Sequence, residues 1–213
     1  MIRVLLVDDH ELVRTGIRRI LDDAPDMEIV AEAGSGEEAI RRAVEHKPDI
    51  VLMDVRMPGM GGIEATRRLQ RSLPDAGIIA LTAIGNEPFP TQLHNAGAMG
   101  YLTKSCPAEE VLAAIRTVHE GELYVASEVA KQQVLSGWRK GEQSPFESLS
   151  SREMQVALMV LEGLKNQEIS DKLSLSPKTV STYRQRIFEK LGVKTDVDMT
   201  RLAYRYGVIN EVP

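Results

Sequence analysis

Over roughly its first 120 residues the chain alternates five short apolar runs with five helical patterns, and that alternation limits its fold more than any other feature. The runs fall at residues 2–7, 27–31, 49–53, 77–81 and 98–103. They are short and mostly unbroken, as strands are when both faces of a sheet are covered. Helical spacing follows each run. Leu12, Ile17, Ile20 and Leu21 mark the first face, and residues 37–46, 63–72, 91–96 and 107–120 carry the others. Ser35 and Gly36 suit a helix cap, and Pro107 suits a first turn, where its missing N–H is no loss. Strands and helices in this order predict a parallel sheet with helices on both faces. Periodicity alone leaves the strand order open.

The third run, Ile50 to Met53, leads into Asp54 and then a Pro/Gly-rich loop. Ligands collect at the carboxyl ends of parallel strands, so Asp54 stands where chemistry is expected. Asp8 and Asp9 end the first run. In a doubly wound sheet these ends are neighbours, and converging carboxylates repel one another unless a cation joins them. A hard divalent ion meets that need: Mg2+ takes one or two carboxylates, water and a phosphate oxygen. Thr82 ends the fourth run and Lys104 the fifth, supplying a hydroxyl and an ammonium for a phosphoryl oxygen. The site therefore reads as one that binds Mg2+ and accepts a phosphoryl group on a carboxylate. His10 reads as the opening of the first helix rather than a ligand, and His46, His94 and His119 as surface residues.

Beyond residue 121 the pattern changes. Residues 127–135 fit a helix, and the polar stretch 136–145, with two glycines and a proline, reads as a linker. Trp138, the only tryptophan, reads as a packing residue. Ser150 and Glu153 have capping-box spacing and open a helix with Met154, Ala157, Leu158, Val160 and Leu161 on its apolar side. Further helices are expected at 166–173, 178–191 and 196–206, with Ser176 as an N-cap and Pro177 in a first turn. Two helices joined by a four-residue turn, the second one basic, make a helix-turn-helix.

Charge agrees with this division. The chain carries a net −5, but from Pro145 onward there are 10 basic and 9 acidic residues, against 16 and 22 before it. Between Lys172 and Lys194 six residues are basic and one acidic. With Val180 set toward the core, steps of about 100° put Tyr183, Arg184, Ile187, Phe188 and Leu191 on the same side. Lys178, Thr182, Gln185 and Glu189 fall opposite, with Ser181 and Arg186 on the flanks. That polar side suits a helix in a DNA major groove. Ser181, Thr182 and Gln185 are the candidates for base edges; Lys178, Thr179, Arg184, Arg186 and Lys190 are the candidates for phosphates.

Asp8–Asp9, Asp54, Thr82, Tyr101 and Lys104 together resemble the receiver domain of two-component response regulators, across about the first half of the chain. The resemblance implies a flavodoxin-like strand order with Asp54 as phosphoacceptor. It also implies Asp9 and Asp54 as direct metal ligands, Asp8 acting mostly through water, and the Arg56 backbone carbonyl completing the set. Lys104 would pair with the phosphoryl group, Thr82 would move toward it and Tyr101 would swing inward behind it. Ser105 stands where the family often has proline. Residues 149–153, Asn166–Gln167–Glu168–Ile169 and 175–180 resemble the LuxR-type helix-turn-helix, with Ser170 at a position commonly alanine. That likeness implies 178–191 as the reading helix and 196–206 as a dimer-forming one. Receiver plus this output is the NarL/FixJ class, and Asn86–Glu87–Pro88 with Gln143–Ser144–Pro145–Phe146 are similar to its GacA/UvrY group.

The expected protein thus has a receiver at 1–122, a partly helical linker at 123–146 and a DNA-binding domain at 147–213. A sensor histidine kinase or a histidine phosphotransfer protein would be its donor, double-stranded DNA its target and a homodimer its active form. It is expected to be no enzyme beyond its own phosphorylation and dephosphorylation. A cytoplasmic location is expected: the single Cys106 excludes an internal disulfide, and no apolar run approaches the roughly 18–20 residues of a membrane helix. The rival readings are a receiver acting through protein contacts without DNA and an aspartyl-nucleophile phosphatase of the haloacid-dehalogenase type. The latter carries Asp-x-Asp after its first strand, whereas Asp8 and Asp9 are adjacent. No P-loop motif supports an ATPase.

Overall fold

The structure, a computed structural model, describes residues 1–82, 90–125, 144–206 and 208–209. They form two compact units, one from the residues up to 125 and one from 144 onward. In the first, strands β1 (Ile2–Val7), β2 (Met27–Ala33), β3 (Ile50–Asp54), β4 (Gly77–Thr82), β5 (Gly100–Thr103) and β6 (Tyr124–Val125) form one sheet. Helices α1 (Glu11–Asp22), α2 (Gly36–His46), α3 (Gly62–Ser72), α4 (Pro90–Ala96) and α5 (Ala108–His119) alternate with them. The strand order is β2-β1-β3-β4-β5-β6 and every pairing is parallel. This is the flavodoxin-like arrangement, with six strands where five were expected. The sixth pairs Gly100 with Tyr124 and Tyr101 with Val125, and two residues are too few to carry a period.

The unbroken apolar runs are explained by two cores. Val4 and Leu6 of β1 pack on one side of the sheet with Ile17, Leu21 and Ile115. Leu5 and Val7 pack on the other with Ala39, Ala43 and Leu69. Alternate side chains point to opposite faces, so a strand covered twice must be apolar throughout. Leu12 departs from expectation: it is 84% exposed, and Val13 packs against the core instead. Five helical steps put Leu12 about 140° away from Ile17, whereas four put Val13 about 40° away. Ser35 caps α2 by accepting the Glu38 N–H at 3.2 Å. Pro107 is the N-cap of α5 rather than part of its first turn.

The second unit comprises a 3-10 turn at Pro145–Ser148 and helices α6 (Ser151–Leu161), α7 (Asn166–Leu173), α8 (Pro177–Leu191) and α9 (Asp196–Arg205). Both bonds of the Ser150–Glu153 capping box are present. Ser176 caps α8 through the Thr179 N–H at 3.1 Å, with Pro177 at its first position and Gly192, at φ 67°, ending it. Thr195 caps α9 through the Asp198 N–H at 3.1 Å, a cap the sequence reading did not anticipate. Ser170, the departure from alanine, is buried and donates to the Leu175 carbonyl at 2.8 Å, closing the turn between α7 and α8. Phe146, only 1% exposed, Val180 and Ile187 are among the buried apolar residues of this unit. Among the described residues no helix is long and apolar enough to cross a membrane. The helix expected at 127–135, Trp138 with the polar stretch 136–143, the loop 83–89 and Gly207 lie outside the described residues.

Candidate functional site

The carboxyl ends of β1, β3, β4 and β5 bring together Asp8, Asp54, Thr82 and Lys104. Asp8, Asp54 and Thr82 are buried, while Asp9 is exposed beside them. The Lys104 ammonium lies 2.7 Å from Asp8 Oδ2 and 2.9 Å from Asp54 Oδ2. The main chain holds each acid from its other oxygen. The Arg56 N–H donates to Asp54 Oδ1 at 3.1 Å, and the His10 N–H donates to Asp8 Oδ1 at 2.8 Å. The Lys104 amide donates to the Thr82 carbonyl at 2.7 Å, fixing the ends of β4 and β5 against each other. Tyr101 is buried, on β5 three residues before Lys104. Arg56 is exposed, two residues past Asp54.

The electrostatics follow from burial. Burial pushes the Asp54 carboxyl up to about 7, and the Asp8 carboxylate adds to the rise, while Lys104 and the Arg56 amide pull against it. Burial works to lower the Lys104 ammonium, but Asp8 and Asp54 more than offset it and hold it above its ordinary value. One ammonium thus holds both Oδ2 atoms, and hydrogen bonding as well as charge ties them to Lys104. Buried carboxylate oxygens held in this way fit a divalent cation, which needs oxygen ligands and neutralises their repulsion. Donor atoms of Asp8, Asp9, His10 and Asp54 lie within 4.8 Å of one another.

Sequence reasoning missed two supports of this pocket. The His10 ring, read only as a helix opening, stands at the N-cap of α1 with Nδ1 2.8 Å from Asp9 Oδ1 and 3.2 Å from Asp8 Oδ1. Its adjacency to the acidic pair was the available signal. Arg14 donates to the Asp8 carbonyl at 2.7 Å and reaches Glu32 at 3.3 Å, a contact between α1 and β2 with no local signature. Packing sets the Asp54 end of β3 just as tightly. A Cβ on Gly62, the first residue of α3, would stand 2.0 Å from the Asp54 carbonyl oxygen, so only glycine allows this approach.

In the second unit, α8 turns Val180, Ile187 and Leu191 into the core. Lys178, Ser181, Thr182, Gln185, Arg186, Glu189 and Lys190 are exposed, and Thr179 and Arg184 are half-buried. Three of the expected phosphate contacts are engaged inside the unit, and the first is Thr179, whose Oγ1 lies 2.8 Å from Ser176 Oγ. Both carboxylate oxygens of Asp196 accept from Arg184 Nη2 at 2.5 Å, and Asn166 Oδ1 accepts from Arg184 Nη1 at 3.1 Å. The Lys190 ammonium donates to Glu153 at 2.5 Å and to the Ser148 carbonyl at 3.2 Å. Burial works to raise the Glu153 carboxyl, but Lys190 and Ser150 outweigh it and hold it below the ordinary range. Arg184 and Lys190 thus brace α8 against α9 and α6. Lys178 and Arg186 stay on the outer side with Ser181, Thr182 and Gln185.

Residues 4–116 match the response regulator receiver domain, and residues 147–203 match the bacterial regulatory proteins of the luxR family. The chain is 53% identical to the response regulator GacA of Pseudomonas protegens over 210 residues, covering 99% of each chain. It is 51% identical to the response regulator UvrY of Escherichia coli over 211 residues, covering 99% of this chain and 97% of UvrY. Among solved structures, RcsB from Salmonella enterica serovar Typhimurium, bound to promoter P1flhDC in the presence of phosphomimetic BeF3-, is 25% identical. The match has a TM-score of 0.67 and covers 94% of this chain and 97% of RcsB. The response regulator ChrA of a heme-sensing two-component system is 33% identical, with a TM-score of 0.54 and 98% of both chains covered.

Proposed function

Because the chain belongs to the response regulators that join a receiver domain to a LuxR-type DNA-binding domain, we propose that it takes a phosphoryl group on Asp54 and controls transcription through α8. The observation that carries this reading is the buried Asp8–Lys104–Asp54 cluster at the strand ends. A phosphohistidine on a sensor kinase or a histidine phosphotransfer protein is the donor. An Asp54 carboxylate oxygen attacks phosphorus, the P–N bond breaks, and the departing imidazole nitrogen keeps the bond pair and takes a proton from solvent. Lys104, already on the Asp54 carboxylate, pairs with the arriving phosphoryl oxygens. Thr82, at the end of β4, supplies a hydroxyl to them, and Tyr101 packs behind it as part of the switch.

Asp9, Asp54 and the Arg56 carbonyl would hold Mg2+, with Asp8 acting mainly through water. When bound, the ion neutralises the carboxylates and the charge on the transferring group. The protein's only catalysis is its own phosphorylation and dephosphorylation. The receiver spans 1–122 and the DNA-binding domain 147–213, joined by 123–146, and the protein works in the cytoplasm.

On the output side, Ser181, Thr182 and Gln185 face base edges, and Lys178, Thr179 and Arg186 face phosphates. Arg184 and Lys190, expected at phosphates, are read instead as holding α8 in place, a reading supported by their bonds inside the unit. A homodimer presents two copies of α8 to a near-palindromic site. Val197 and Tyr204, seven residues apart on α9 and 61% and 56% exposed, support that helix as the dimer surface. The test is acetyl-phosphate labelling and DNA affinity, with Mg2+, for the full chain and for Asp54→Ala. Labelling and a phosphorylation-dependent gain in affinity are expected for the first and absent from the second. A labelled Asp54→Ala protein overturns the phosphoacceptor assignment, and no shift of DNA at physiological salt overturns the DNA reading in favour of a protein-contact module.

A further inference from the structure

The outer face of α8 carries two adjacent hydroxyls, Ser181 and Thr182, and the bonds around them are not equivalent. Asp196 holds the Arg184 guanidinium from both carboxylate oxygens. Arg184 then donates from Nη1 to Asn166 at 3.1 Å. A guanidinium has no acceptor, so the atom it meets on Asn166 must be the amide oxygen. The amide orientation is thereby fixed, and the Asn166 NH2 faces Ser181 Oγ at 3.0 Å. An NH2 is donor only, so the Ser181 oxygen accepts and its proton cannot point at Asn166. Among the described residues Ser181 makes no other hydrogen bond. Thr182 has the opposite arrangement: its hydroxyl donates to the Lys178 carbonyl at 3.0 Å, which leaves oxygen lone pairs on the outer side.

We propose that the Asp196–Arg184–Asn166 chain is a positioning device that presents Ser181 to DNA as a hydrogen-bond donor, beside Thr182 as an acceptor. The inference rests on the reading of α8 as the DNA-contacting helix and says what that helix can read. In the major groove a donor meets the N7 or O6 of guanine, the N7 of adenine or the O4 of thymine. An acceptor meets the N4 amino group of cytosine or the N6 amino group of adenine. Ser181 therefore favours acceptor-bearing edges and Thr182 amino-bearing edges. Asn166 and Asp196, outside the reading helix, become determinants of specificity without touching DNA. Arg184 acts through its donor polarity, which a lysine would supply without the planar fork that reaches Asp196 and Asn166 together.

The decisive variant is Asn166→Asp. A carboxylate still pairs with Arg184 but offers Ser181 only acceptors, so the Ser181 proton turns inward and its lone pairs turn out. Full-length protein, treated with acetyl phosphate and Mg2+, would be used to select from a randomised double-stranded DNA library. The wild type is expected to enrich an acceptor-bearing edge at one position per half-site, by roughly three- to tenfold. Asn166→Asp is expected to shift that position toward amino-bearing edges, and Ser181→Ala to lose the preference there. Thr182→Val is expected to lose a preference at a neighbouring position only. Replacing the enriched purine by its 7-deaza analogue, where N7 is the acceptor, should weaken wild-type binding but not that of Ser181→Ala. The added charge of Asn166→Asp lowers affinity for every sequence, so relative enrichment is the readout. If Asn166→Asp changes overall affinity and leaves the preference intact, the positioning role is overturned. If the wild type selects no sequence at all, this inference falls together with the DNA reading beneath it.

Discussion

Two sets of buried or half-buried ion pairs, one in each unit, differ in how they are closed. In the receiver, one ammonium, Lys104, sits between two buried carboxylates and has to serve both. In the output unit, each cation has a dedicated acid and further bonds. Lys190 takes Glu153 and the Ser148 carbonyl, while Arg184 takes Asp196 and Asn166. The first arrangement keeps an unmatched negative charge where an outside cation and a phosphoryl group can join. The second spends its charge on holding helices. A basic residue on a DNA-facing helix is therefore not a phosphate contact by virtue of its charge alone; its partners decide.

The comparison breaks most visibly at Asp54. Asp54→Ala should abolish labelling by acetyl phosphate altogether, whereas Asp196→Ala in the output unit should leave labelling unchanged. Lys104→Ala comes next. Leaving two buried carboxylates without their counter-charge should cost about 3–5 kcal/mol in metal-free buffer, read by chemical denaturation. Divalent cation should recover a large part of that loss.

A pH series sharpens the same point. The Asp54 carboxyl titrates near 7 when folded, against an ordinary 3.8. The folded protein therefore binds more protons than the unfolded chain between those values. Its contribution to stability is fully present below about 4 and is lost as pH rises through about 7. Adding Mg2+ should raise the melting temperature more at pH 8 than at pH 5; equal shifts would contradict the buried-carboxylate origin of the site. In the output unit Glu153→Ala should cost about 1–2 kcal/mol, through loss of the capping box, with labelling intact. Its carboxyl lies below the ordinary range, so this stabilisation is present at neutral pH and fades as pH falls through the folded value. The smallest effects are expected on the exposed face of α8. Arg186→Ala should weaken binding to all sequences and reduce the salt slope by about 1, while Gln185→Ala should alter preference among sequences.

Much of this was legible because local chemistry and global fold agree. The β3 run is apolar because both sheet faces are covered, and Asp54 is readable because it ends that run. Ser150, Ser176 and Pro177 announce their helices through capping chemistry that needs only a few residues. What was not legible depends on distant partners. The strand order came from family resemblance and not from the residues' periodicity. Strand β6 exists only by pairing with β5. The bonds of Arg14 to Asp8 and of Lys190 to Glu153 join positions 6 and 37 residues apart and leave no pattern between them. Arg184 illustrates the limit most plainly: its helical angle placed it correctly toward the protein, but only the fold reveals Asp196 beneath it.

Gly62 bears on how such a protein can diversify. The methyl missing from that residue lets α3 begin against the Asp54 carbonyl, with the Gly62 amide donating to the Val55 carbonyl at 3.1 Å. Any replacement, even alanine, would drive its Cβ into the Asp54 carbonyl and push that residue out of line before altering anything on the surface. The fold therefore tolerates a changed side chain on the exposed face of α8, where no neighbour would have to move, and does not tolerate one at the position behind Asp54.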